Sequence, residues 1–232
     1  MSALTRVRHS CIALAIEFPG STANRPAEKE PVTLYALKPK FQARLRPAVA
    51  RLAARGITAN QVTVTAMAGS LAVGFAVAAA APVRWPFLLL PVWLFARMAL
   101  NAIDGMLARE FNQKSRLGAL LNEIGDIVSD AALIAPFAFV PAFGALATAT
   151  VVVLAGVSEY AGVLGVMIGA SRRYDGPLGK SDRALIFGAL GLYVGLGLPL
   201  ASWFVLIMWA AAGALVVTTL NRARAALKEE AR

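Results

Sequence analysis

The segment NAIDGMLAREFNQKSRLGALLNEIGD, residues 101–126, holds Asp104, Glu123 and Asp126, with Asn101 and Asn122 among them, inside an otherwise apolar chain. Ionised groups at bilayer depth are costly, and where they occur they pair with one another or serve a site. On a helix, residues three or four apart share a face. Asn101, Asp104 and Ala108 therefore form one stripe, and Asn122, Asp126 and Asp130 form a second. Glu123 lies ~60° to one side of Asp126 at about 3.6 residues per turn. The short basic turn between the segments lets them run as antiparallel neighbours with the stripes facing. Oxygen ligands converging from two helices suit a hard divalent cation such as Mg²⁺ or Mn²⁺. Solvated polar groups at helix ends are the competing reading of the same spacing.

The surrounding composition sets the class. Of 232 residues, 58% are hydrophobic, where a soluble domain sits nearer about 45–50%. Apolar runs close to the roughly 20 residues needed to cross a bilayer recur along the chain. The expected fold is all-α, a polytopic membrane protein. The net charge of +10 falls in short segments between the apolar runs, which argues for membrane orientation and against nucleic acid. The single cysteine, Cys11, excludes an intramolecular disulfide, and the single histidine, His9, excludes a multi-histidine metal site.

Residues 1–32 read as a mobile tail, with an apolar patch, CIALAIEF, too short to span. Residues 33–57 read as a basic amphipathic helix on an anionic membrane surface. Leu45, Val49, Leu52 and Ala53 form its apolar stripe, and Pro47 is expected to begin or kink it. Six spans are expected at 59–81, 84–108, 117–140, 145–169, 182–199 and 202–221, within a membrane domain over 58–225, with a tail at 226–232. The connections after spans one, three and five carry almost no Lys or Arg, Arg84 excepted. Those after spans two and four carry Lys114, Arg116, Arg172, Arg173, Lys180 and Arg183. Both termini and the even connections are thus expected on the cytoplasmic face. Arg97 and Glu159, both within apolar runs, are expected to pair with each other.

Residues 101–126 resemble the signature of the CDP-alcohol phosphotransferase family, D-x2-D-G-x2-A-R-x8-G-x3-D-x3-D. Here it reads Asn101, Asp104, Gly105, Ala108, Arg109, Gly118, Asn122 and Asp126, so six of eight fixed positions match at the correct spacing, and both departures are Asp to Asn. The segment GITANQVT, 56–63, and the six expected spans extend the resemblance over roughly residues 35–225. It implies transfer of a phosphatidyl or related group from a CDP-linked donor, CDP-diacylglycerol, to a small alcohol with release of CMP, in a bacterial inner membrane and as a homodimer.

By position, the resemblance makes Asn101, Asp104 and Asn122 metal ligands and Asp126 a ligand, the general base, or both. Gly105, Ala108, Arg109 and Gly118 would contact the nucleotide. Four carboxylates could balance two divalent ions, Mg²⁺ or Mn²⁺. These four positions supply two negative charges, so either one ion is lost or weakly held, or Glu123 and Asp130 compensate. Arg172, Arg173, Lys180 and Arg183, in SRRYDGPLGKSDRALI at 171–186, could hold the phosphate of a phosphorylated polyol. They could equally be cytoplasmic orientation charges. A CDP-diacylglycerol hydrolase, a catalytically weak binding partner and, more remotely, an ion-coupled transporter are the alternatives.

Overall fold

The computed structural model of the protein describes residues 38–230. The expected tail 1–32, residues 33–37 of the expected surface helix and residues 231–232 lie outside them. The described chain forms seven α-helices and no strand: α1 Lys38–Ala54, α2 Ala59–Ala79, α3 Leu89–Glu110, α4 Arg116–Ile134, α5 Ala145–Met167, α6 Lys180–Gly195 and α7 Val205–Glu230.

Local chemistry sets most boundaries. The Thr58 hydroxyl accepts from the Gln61 N–H (3.2 Å) while the Gln61 side chain accepts from the Thr58 N–H (2.9 Å), a reciprocal cap that starts α2. Ser115 caps α4 by accepting from the Gly118 N–H at 2.9 Å. Pro136 stops α4 short of the expected residue 140, because its ring excludes an α-helical turn before it, and 3-10 turns follow at Ala135–Phe139 and Pro141–Phe143. Pro47 does not begin α1 but lies inside it. The bond it cannot donate would go to the carbonyl of Ala43, and both residues are exposed, so water can take the bond's place.

The packing differs from the expected hairpin. α3 and α4 do not pack closely on each other; each packs on α2, which brings them together from one side. α6 packs on α3, and α5 on α4 and α7. Gly74 makes the α2–α4 contact possible, since an added Cβ would collide with the backbone carbonyl of Ala132. α1 sits against α3, its Val49 in a small core with Ala59, Val62, Met106 and Leu107, and Arg46 forms a two-pronged pair with Glu110 (2.9 and 3.0 Å).

Four helices are long and apolar enough to cross a membrane: α2, α3 with its preceding turn, α5, and α7 with its preceding turn. They expose large apolar side chains such as Phe75, Val92, Phe95, Leu146 and Leu206, a surface suited to lipid. α4 and α6 do not meet that description. α4 carries Arg116, Glu123, Asp126 and Asp130, and α6 has 16 residues including Lys180, Asp182 and Arg183. The main core gathers between the helices, and edge-on aromatic pairs close it at the end holding residues 135–144. There Phe137 meets Phe87 and Phe143 at 5.2 Å and Phe187 at 5.7 Å, while Phe143 meets Phe204 at 5.7 Å. Charged side chains hold the opposite end.

Gly74→Leu should lower stability by about 3 kcal/mol or more, because a backbone carbonyl cannot swing aside as a side chain can. Gly213→Ala, where an added Cβ meets nothing within 4 Å, should cost nothing. Thermal unfolding of the two variants in the same detergent makes the comparison.

Candidate active site at the charged end of α3, α4 and α6

Asp104 on α3 and Asp126 on α4 are both buried, 5% and 6% exposed. Thr63 of α2 donates to Asp104 at 2.8 Å. Asp126 receives Arg97 from α3 at 3.2 Å and the Lys180 ammonium from the first turn of α6, both on Oδ1. Among the described residues no donor reaches its Oδ2. Asp104, Asp126 and Lys180 lie near enough for their charges to act on one another. Asn101 and Asn122 sit half-buried on the same two stripes. Two carboxylates, on helices that α2 brings together, are thus presented at one end of the bundle. They carry charge enough for one divalent cation, and among the described residues no three His, Cys, Asp or Glu side chains gather as a metal centre.

A buried ion network lies beneath. Asp130 accepts from Arg97 at 2.6 Å on one oxygen and from Arg183 Nε and Nη2 at 2.8 and 2.6 Å on the other. Arg183 also reaches Glu159 at 2.8 Å. Arg222 lies 3.4 Å from Glu159 and donates to the Ser158 carbonyl at 2.5 Å. The expected Arg97–Glu159 pair does not form: Arg97 serves Asp126 and Asp130, because α3 and α4 share α2 as a neighbour whereas α5 packs on α4 and α7. Arg183, a candidate for an acceptor phosphate, is 1% exposed and committed to Asp130, Glu159 and the Leu178 carbonyl. It shares a face with Lys180 as expected, but one turn deeper.

Taken together, Asp104, Glu123, Asp126, Asp130 and Glu159 are matched by Arg97, Arg172, Lys180, Arg183 and Arg222. The cluster is neutral as it stands. Such pairs add little net stability over apolar packing, but removing one member leaves an uncompensated buried charge, at about 3–5 kcal/mol.

The remaining predicted positions surround this centre. The guanidinium of exposed Arg109 lies over Gly105, about 3.1 Å from where a Cβ would stand. At Gly118 a Cβ would stand 2.5 Å from the Asn60 side chain and 2.9 Å from the Ser115 hydroxyl, so the helix cap itself requires a glycine there. Ala108 is half-buried against the core beneath α1. In the loop before α6, Arg172 pairs with Glu123 at 2.6 Å and stacks over Tyr174 at 4.5 Å, while its Nε is buried with no partner among the described residues. Burial opposes its charge, but Glu123 and Tyr174 hold its guanidinium above the ordinary arginine value. Arg173 is taken by Asp175 (2.9 Å) and Glu229 (2.6 Å).

Two participants escape a motif-based reading. Thr63 carried a weak signal, one helical turn beyond the cap pattern of GITANQVT. Arg222 looked like a tail charge, and only the continuation of α7 past the apolar run brings it back under Glu159.

The model of the CDP-alcohol phosphatidyltransferase family matches residues 56–217. The inner membrane protein YnbA of Escherichia coli (strain K12) is 47% identical over 197 residues, covering 84% of this chain and 97% of that protein. The phosphatidylinositol phosphate synthase of Streptomyces avermitilis is 28% identical over 205 residues, covering 81% of this chain and 79% of that protein. Crystal structures of the Mycobacterium tuberculosis phosphatidylinositol phosphate synthase (PgsA1), one with CDP-DAG bound and one with manganese and citrate, each align at a TM-score of 0.62 and 23% identity. They cover 78% of this chain and 92% and 88% of theirs, which shows a shared fold. With the motif spacing, the matched region and the helical arrangement in agreement, the chain belongs to the CDP-alcohol phosphatidyltransferase family.

Proposed function

We propose that this protein is an integral membrane phosphatidyltransferase that moves a phosphatidyl group from CDP-diacylglycerol to a phosphorylated polyol and releases CMP. One observation carries the reading. Asp104 and Asp126, from separate helices, meet Lys180 at the end of the bundle where the basic loop 168–179 also lies. The relatives that make phosphatidylinositol phosphate support CDP-diacylglycerol as donor and a phosphorylated acceptor.

In this reading Asp104 and Asp126, helped by the amide oxygens of Asn101 and Asn122, hold Mg²⁺ or Mn²⁺. When bound, the cation neutralises charge on the donor's pyrophosphate. Arg109 pairs with a donor phosphate, and the helix surfaces at Gly105, Ala108 and Gly118 border the nucleotide. Arg172 and Arg173 collect the acceptor's phosphate, Lys180 stands on Asp126 at the edge of the cleft, and Arg183 acts as a positioning residue that holds Asp130 and Glu159. The acceptor hydroxyl attacks the phosphorus bearing the diacylglycerol group, and the bond from that phosphorus to the CMP oxygen breaks. The hydroxyl proton passes to Asp126, whose Oδ2 carries no protein donor among the described residues.

The same reading makes α2–α7 six spans, with α4 and α6 shielded inside the bundle because of their charges, and α1 a helix at the membrane surface. The charged end then faces the cytoplasm of a bacterial inner membrane, since the opposite connections carry only Arg84. The protein works as a homodimer.

Purified protein given CDP-diacylglycerol, Mn²⁺ and a panel of acceptors should release CMP only with a phosphorylated polyol. Asp126→Ala should cut release by at least about 100-fold, the lower range for loss of a proton-transfer group. Release without acceptor would replace the reading with a hydrolase, and donor binding without release would leave a binding partner. Arg172→Met should raise KM for the phosphorylated acceptor about tenfold, the effect of removing one charge-assisted hydrogen bond. For topology, with Cys11 changed to Ser, single cysteines replacing Lys114 or Ser171 should react with an impermeant maleimide only after permeabilisation. Cysteines replacing Val83 or Ala201 should react from outside the cell.

A further inference from the structure

We infer that each site takes one divalent cation rather than two, and that Lys180 supplies, as a fixed ammonium, the positive charge a second ion would bring. The inference deepens the phosphatidyltransferase reading and rests on it for the anionic ligand, a pyrophosphate.

The donor set does not fit two ions. Of the four motif positions, only Asp104 and Asp126 are charged, and Asn101 and Asn122 offer neutral oxygens. Two divalent ions would have to share two carboxylates, and on one of these, Asp126, an oxygen already carries both Lys180 and Arg97. Neighbouring acids do not make up the shortfall. Both oxygens of Asp130 are occupied, one by Arg97 at 2.6 Å and the other by Arg183 at 2.6 and 2.8 Å. Glu123 is held by Arg172 at 2.6 Å.

A cation is already fixed beside Asp126. The Lys180 ammonium bonds Asp126 Oδ1, an oxygen also bonded by Arg97. Its backbone is the first residue of α6, and it remains partly exposed, 29% for the side chain, so it borders the cleft instead of being sealed beneath it as Arg183 is. One divalent ion with Lys180 brings three positive charges to two carboxylates, and the donor's phosphates carry the balance. The asparagines and the lysine are then one adaptation: the amides remove the charge that would call for a second ion, and the ammonium keeps the anion attracted without it.

The test is Mn²⁺ binding to the metal-free protein in detergent, counted by the electron paramagnetic resonance signal of free Mn²⁺. One Mn²⁺ per chain is expected for the unaltered protein and for Lys180→Arg. Asn101→Asp combined with Asn122→Asp should bind two. Lys180→Met should bind its Mn²⁺ at least about tenfold more tightly, because Asp126 loses a competing cation a few ångströms away. Two ions or none on the unaltered protein, or an unchanged count in the double aspartate variant, would overturn the inference, as would a Kd within twofold of the unaltered value in Lys180→Met. Should Lys180→Met fail to fold, as judged by gel filtration and thermal unfolding, the aspartate pair and Lys180→Arg decide alone. The count is independent of turnover. One ion per chain without CMP release defeats the transferase reading and leaves the stoichiometry standing, whereas two ions with CMP release does the reverse.

Discussion

Asp130 is the constraint on which the charged end depends. Buried within α4, it ties Arg97 of α3 and Arg183 of α6 to one carboxylate. Since α3 and α4 do not pack closely, this triple contact and the bonds from Arg97 to Asp126 span the space between them. It also fixes the reacting centre: the same Arg97 that holds Asp130 reaches Asp126 one turn nearer the surface, and the same α6 turn that carries Arg183 presents Lys180. A carboxylate placed a turn deeper than the chemistry thus aligns three helices by charge, in a region where hydrophobic burial cannot specify orientation between helices.

Neutrality follows from that arrangement. A deep acid with one cationic partner would either remain unsatisfied or draw its partner from another group. The network instead distributes each of Asp130 and Glu159 over two or three arginines, and each of Arg97 and Arg183 over two acids. Ion pairs of this kind contribute geometry more than net stability. They hold Asp126 and Lys180 in fixed positions one turn nearer the end of the bundle.

Much of this was legible in residues 101–126. Asp104 of the first stripe and Asp126 of the second do come within reach of each other's charge, and Lys180 and Arg183 do share a face toward Asp126 and Asp130. Helical periodicity carries such information because it depends only on local geometry. Partners chosen by tertiary packing were not legible. Arg97 could be seen to need an acid, but whether that acid was Glu159 or Asp130 turned on which helices touch, and α2 intervening between α3 and α4 leaves no local trace. Arg183 illustrates depth: one turn separates a lysine at the cleft from an arginine sealed at 1% exposure, and sequence spacing does not reveal where the surface lies. The courses of α4 and α1 turned on Pro136 and Pro47, where the same residue type stopped one helix and was accommodated inside the other. Solvent access to the orphaned carbonyl accounts for the accommodation in α1.

The interlocked rings of Phe87, Phe137, Phe143, Phe187 and Phe204 have a consequence for how such a protein changes over time. They gather the helices at the end away from the loop 168–179, through contacts that involve none of the charged groups. A substitution in that loop therefore leaves the aromatic closure intact, and its cost is set by the charged network alone, where Arg172 and Arg173 are each tied to an acid. The two ends of the bundle are fastened independently, so sequence drift at one need not be matched by drift at the other.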